Sequence, residues 1–227
     1  MSSPMVFRHL LKIMFRSILL VVAVYFYFAN PQMLLEGWFF WLIWVVLAGG
    51  MMLRIIPNKF ISMGARKHNK SYYDPDDTTK PTPKPHKGVF LSCLSWFVVT
   101  ITVILTLHQI NLLTPKTLLL WTLVLSVLDI VFILFYCPFQ RWFMKNRCCT
   151  TCRIYNWDYF MMVAPLVIFP SFFSVSLVAL AVIVIVRWET TLLRHSVRFA
   201  PQTNKNLRCN QCADKLCKLN IIKQKPR

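Results

Sequence analysis

Acidic residues are scarce in this chain, and so is charge of any kind. Of 227 residues only 8 are Asp or Glu, and the charged fraction is 15%, against about 25% in an ordinary soluble domain. Glycine is rarer still, with 5 in the whole chain. So few glycines give little support to loops that cradle phosphate. None of the patterns G-x-x-x-x-G-K-S/T, G-x-G-x-x-G, H-E-x-x-H or G-x-S-x-G occurs. No internal repeat stands out, nor any inverted repeat of the transporter kind. With hydrolase and nucleotide motifs missing, a redox component is the one enzyme class left open.

What is present is apolar. Hydrophobic residues make up 56%, with 18 Phe and 8 Trp, and the mean hydropathy is +0.52. This excludes a soluble globular enzyme and a disordered tail, and leaves an integral membrane protein.

A bilayer core of about 30 Å takes roughly 20 apolar residues of helix. Residues 17–28, extended back over 10–15, form the first candidate, with Arg8, Lys12 and Arg16 in front. No small-x-small cleavage site follows, and a second apolar run comes at once, so an uncleaved first span is expected rather than a leader. Further runs cover 37–53, 89–107 and 117–137. The fifth, 159–186, is interrupted by Pro165 and by Phe169-Pro170-Ser171.

The 26 Lys and Arg leave a net charge of +18, and their positions orient the chain. Three precede the first span, eight lie in 54–88, four in 138–158 and ten in 187–227. The links 29–36 and 108–116 hold Lys116 alone. Basic residues favour the cytoplasmic side, which places both termini, the long link and the 138–158 loop there. A fifth full crossing would carry ten basic residues outward. Residues 159–186 are therefore expected to form a re-entrant hairpin turning near Pro170, packed inside the bundle or in a dimer interface; a single kinked fifth span is the alternative.

The fold expected is an all-α membrane protein with four transmembrane helices and a Pro-broken fifth apolar element. Its parts are an N-terminal hairpin (1–53), a basic Pro-rich linker (54–88), a second hairpin (89–137), a Cys-bearing loop (138–158), the membrane element (159–186) and a Cys-bearing tail (187–227). Trp38, Trp41 and Trp121 fall at predicted outer ends and Trp142, Trp157 and Trp188 at inner ends, where indoles prefer the headgroups. Ala48-Gly49-Gly50 offers a flat surface for close helix approach. The Thr-Pro-Lys stretch 78–85 is an extended spacer, and its cations suit anionic lipid headgroups rather than nucleic acid. Asn69-Lys70-Ser71 matches a glycosylation acceptor that a cytoplasmic location leaves idle. The plasma membrane is the default location, and a homo-oligomer or a larger membrane complex is compatible with this layout.

Six of the eight cysteines fall in two clusters, Arg147-Cys148-Cys149-Thr150-Thr151-Cys152-Arg153 and Arg208-Cys209-Asn210-Gln211-Cys212, with Cys217 beyond. Each cluster contains a C-x-x-C. In a reducing compartment this pattern points to metal or redox chemistry. Two such turns complete a tetrahedral thiolate set: Cys149, Cys152, Cys209 and Cys212, with Cys148 and Cys217 as alternates. Flanking Arg and Lys offset the charge of such a centre and favour thiolates. Zinc is preferred slightly. An iron–sulfur cluster is the alternative, although C-x₂-C-x₄-C fits neither common ferredoxin spacing. Cys93 and Cys137 read as packing residues.

Asp129 lies well inside the fourth run, where an acid costs about 2.5–3.5 kcal/mol on insertion scales. No basic residue is expected at comparable depth in another span. A proton or cation site is one reading of Asp129; a helix–helix hydrogen bond to Ser92, Ser95 or Thr100 is the other. The histidines, at 9, 68, 86, 108 and 195, are scattered. His9 and His108 fall near opposite faces and cannot clamp one haem, while His195 could replace a Cys ligand.

Three functions follow as expectations. The first is a binding or assembly component stapled by a cytoplasmic metal, the second a redox component carrying an iron–sulfur centre, and the third a small transporter using Asp129. All three share one topology. A tag fused after residue 227 is expected to react with an impermeant label only after the membrane is opened; labelling of intact cells would place loop and tail on opposite faces.

Overall fold

The computed structural model describes residues 4–56, 87–144, 152, 154–200 and 203–208. Six α-helices carry the architecture: α1 (Pro4–Ala29), α2 (Trp38–Ile55), α3 (Lys87–Gln109), α4 (Pro115–Leu134), α5 (Asp158–Val163) and α6 (Phe172–Arg194). Short 3₁₀ and π turns fill the joints, and no strand occurs among the described residues. All but α5 are long and apolar enough to cross a bilayer. This fits a multi-pass integral membrane protein.

Local chemistry sets the helix ends. At the end of α3, Leu112 N–H donates to Leu107 C=O and Asn111 N–H to His108 C=O. Asn111 takes the left-handed conformation with φ 55. This is the Schellman ending, with Asn in the position usually held by Gly. Thr114 then caps α4, its hydroxyl accepting from Thr117 N–H, and Pro115 opens the helix, where a missing N–H costs nothing.

The bundle has two ends. α1 and α4 run antiparallel, tied by Tyr27 and Thr117 at 3.4 Å near one end and by Arg16 toward the other. Arg8, Lys12, Arg54, Arg187 and Arg194 lie at the second, basic end. α6 runs in the same direction as α2. Phe40 stacks on Phe173 at 4.2 Å, Trp44 Nε1 donates to Ser176 Oγ at 2.9 Å, and Arg187 donates to Ile55 C=O.

The fifth apolar stretch breaks where its prolines fall. α5 passes at Ala164 into a 3₁₀ turn through Ile168. Ser171 then starts α6 with a capping box that it forms with Ser174. The two legs are unequal, and the second, 23 residues or about 34 Å long, reaches full bilayer length by itself. Both open ends of the 158–194 element meet at the basic end, where Trp157 Nε1 donates to Glu189 Oε1 at 2.9 Å and Arg54 pairs with Asp158.

The main core joins α1, α2, α4, α5 and α6 through Ala23, Ile43, Leu118, Val163 and Leu177. Trp188 is covered by protein rather than exposed in a headgroup belt. It is fully buried, between Tyr155 and Phe199, whereas Trp38, Trp41 and Trp142 are exposed as anchors should be. α3 stands apart, with Phe90, Phe97, Val98 and Leu105 facing outward. Its first turn approaches the 139–143 turn so closely that a Cβ on Gly88 would lie 2.2 Å from Phe143 C=O. Gly88→Ala must therefore separate these two backbones. A loss of about 1–3 kcal/mol is expected, read from unfolding in detergent, while Gly49→Ala, with no atom within 4 Å of its added Cβ, should show none of it.

Candidate functional site

At the basic end, polar groups from α1, α2, α4 and the start of α5 converge inside the apolar core. Arg16 lies about midway along α1, because the helix begins at Pro4 and carries the residue inward. Its guanidinium donates to Ser126 C=O at 2.7 Å and to Tyr159 Oη at 3.2 Å. It sits 3.5 Å from Asp129 Oδ2, with side-chain exposures of 9% and 12% for the pair. Asp129 thus faces the bundle, as an intramembrane acid must. Its ion-pair partner is Arg16 of the first helix, with the Asp158 carboxyl as a further neighbour, and not Ser92, Ser95 or Thr100. Ser92 and Ser95 spend their hydroxyls on carbonyls of their own helix.

Arg54, in the last turn of α2, makes the second pair. Both of its terminal nitrogens reach the Asp158 carboxylate, the fork geometry that strengthens such pairs. It also donates to Asn156 Oδ1 at 3.1 Å and Tyr155 C=O at 3.3 Å. Its guanidinium carbon lies 4.4 Å from the Tyr159 ring centroid and 4.9 Å from that of Tyr155. Arg16 approaches the same Tyr159 ring at 5.9 Å, so one aromatic ring serves two cations. Tyr159 reaches this position over Gly50, where a Cβ would stand 2.1 Å from its hydroxyl. Burial pushes the Tyr155 phenol up, and the neighbouring Arg54 cation opposes that without cancelling it.

Two cavities flank the cluster. One, of about 300 Å³, lies between α1, α2 and α4 and is lined by His9, Lys12, Arg16, Gly49, Arg54 and Tyr159 among others. The other, of about 120 Å³, lies toward α3 and is mostly apolar. Its wall includes Trp96, Asp129, Cys137, Cys152, Tyr155 and Asp158, and the Trp96 indole N–H is buried there with no acceptor.

Of the candidate metal ligands, Cys152 is described: it is buried at the wall of this second cavity. Cys148, Cys149, Cys209, Cys212 and Cys217 lie outside the described residues. Among the described residues no group of three or more His, Cys, Asp or Glu stands close enough to hold a metal. Arg16, Arg54, Tyr155, Asp158 and Tyr159 were not expected at this site. Two signals pointed to them: an Arg inside an otherwise continuous apolar run, and the run Tyr155-Asn156-Trp157-Asp158-Tyr159 directly before the fifth stretch.

Chemically, the cluster is a staple. Two cations and two carboxylates meet in largely apolar surroundings, and removal of one member leaves a largely buried charge. Arg54→Met is expected to cost about 3–5 kcal/mol, read from unfolding in detergent. The double variant Arg54→Met/Asp158→Leu should cost clearly less than the sum of its singles; additive losses would contradict the pairing.

Comparison with protein family models, with curated proteins and with solved structures finds no match for this chain.

Proposed function

We propose that the chain is a membrane binding or assembly component whose loop and tail share one cytoplasmic metal centre, formed by Cys149, Cys152, Cys209 and Cys212 with zinc as the preferred ion. The observation that supports this reading is that described residues neighbouring the two Cys clusters pack on one indole at one end of the bundle. Tyr155, three residues after Cys152, packs on Trp188 at 6.4 Å. Phe199 of the tail packs on the same Trp188 at 4.9 Å. Beyond it the tail folds back on itself, with Asn204 Nδ2 donating to Arg198 C=O at 2.8 Å and Thr203 Oγ1 to Val197 C=O. The turn continues to Arg208, the residue before Cys209.

Orientation follows from charge. The basic end carries nearly all the Lys and Arg of the described residues, with Lys116 at the other, which supports a cytoplasmic basic end. Thiols on that side stay reduced and available to metal. An ion shared by loop and tail would close the 158–194 element from below, and its binding energy would add to folding.

Purified full-length protein is expected to carry about one zinc per chain and to be colourless. Cys149→Ser and Cys209→Ser should each lower both the metal content, measured by elemental analysis, and the unfolding temperature. Broad visible absorption with bound iron would transfer the site to an iron–sulfur redox component. Metal content untouched by either substitution would overturn the shared centre.

A further inference from the structure

The cavity between α1, α2 and α4 is the part of the site that the ion pairs leave unfilled. Its volume of about 300 Å³ stands at the lower end of the range for ligand pockets, about 300–1,000 Å³. Its charge is unbalanced. Arg54 is held by both oxygens of Asp158, and Arg16 shares its charge with Asp129. Lys12 also lines the cavity, and no carboxylate of the described residues stands within ion-pair distance of it. The walls therefore carry one cation more than the carboxylates answer, and His9 lies beside it.

Phe15 and Leu53 line the cavity and are 47% and 40% exposed on the outside of the bundle. An opening between α1 and α2, where these exposed lining residues stand, would face sideways toward the acyl chains of a surrounding bilayer, at the end where headgroups of the inner leaflet would sit. Leu11 and Met52 continue the apolar exposure on either side. At Gly49 a Cβ would meet nothing within 4 Å, so the missing side chain leaves room inside the cavity.

We propose that this cavity binds the phosphate of an anionic phospholipid that enters between α1 and α2, with Lys12 as its charge partner and Arg16 as a second donor. Basic pockets between helices on the cytoplasmic side hold lipid headgroups by the same chemistry. The proposal rests on the membrane reading and its orientation, and not on the cysteine centre.

The test uses full-length protein in detergent, offered equal amounts of phosphatidylglycerol and phosphatidylcholine and analysed by native mass spectrometry. The wild type is expected to retain phosphatidylglycerol in preference. Lys12→Gln should weaken that retention about fivefold, the factor one cation near an anionic lipid supplies. Gly49→Leu should abolish it by filling the cavity, with an unchanged unfolding temperature. If Gly49→Leu does not fold, Lys12→Gln decides alone, since Lys12 makes no ion pair with a carboxylate of the described residues. A wild-type preference for phosphatidylglycerol in Lys12→Gln overturns the proposal. Inorganic phosphate serves as the competing probe. If millimolar phosphate displaces the lipid from the wild type and binds in its place, the anion site stands and the lipid source is overturned. Absence of metal from the same samples would count against the cysteine centre and leave this result intact.

Discussion

Two guanidiniums buried in an apolar bundle set the terms for everything around them. An unpaired charge in such surroundings is too costly to keep. Arg16 therefore needs acceptors from α4 and α5, and Arg54 needs them from the 155–158 segment. Those needs bring together elements far apart in the chain: Arg16 reaches Asp129 and Tyr159, and Arg54 reaches Asp158. The short segment before the fifth apolar stretch supplies most of the acceptors. Its position under α2 and beside α1 follows from that more than from its own apolar content.

Apolar surface gains little by leaving lipid for protein, so close contact and polar pairing have to hold membrane helices together. The molecule shows both. Gly50 lets the Tyr159 hydroxyl stand against the α2 backbone, and Gly88 lets α3 touch the 139–143 turn. Where neither device operates, packing is thin, and α3 presents a long apolar face outward along most of its length. The Trp188 indole does different work: it lies between loop and tail and joins them at the basic end.

Much of this architecture was legible in the chain itself. The five apolar runs, the break at Phe169-Pro170-Ser171 and the bundle-facing Asp129 follow from hydropathy, from proline's missing N–H and from the cost of an acid in lipid. Arg16 did not follow, because a basic residue at the front of an apolar run is ordinarily a headgroup anchor. Only the register of α1 against α4 turns it inward. Gly49 and Gly50 look alike in sequence, yet successive side chains on a helix diverge by about 100°, so one meets Tyr159 and the other opens into a cavity. Trp188 was misread for a similar reason. Its place near a helix end matched an anchor, but the 196–199 turn folds over it.

Sequence alone therefore determined which segments are apolar, where the fifth is broken and which end gathers the cations, since these depend on transfer energies and local backbone geometry. Tertiary structure alone decided which charges meet, which glycine is filled and which tryptophan is covered. Those outcomes depend on the direction in which each side chain leaves its helix and on what stands opposite, and no single segment carries that information.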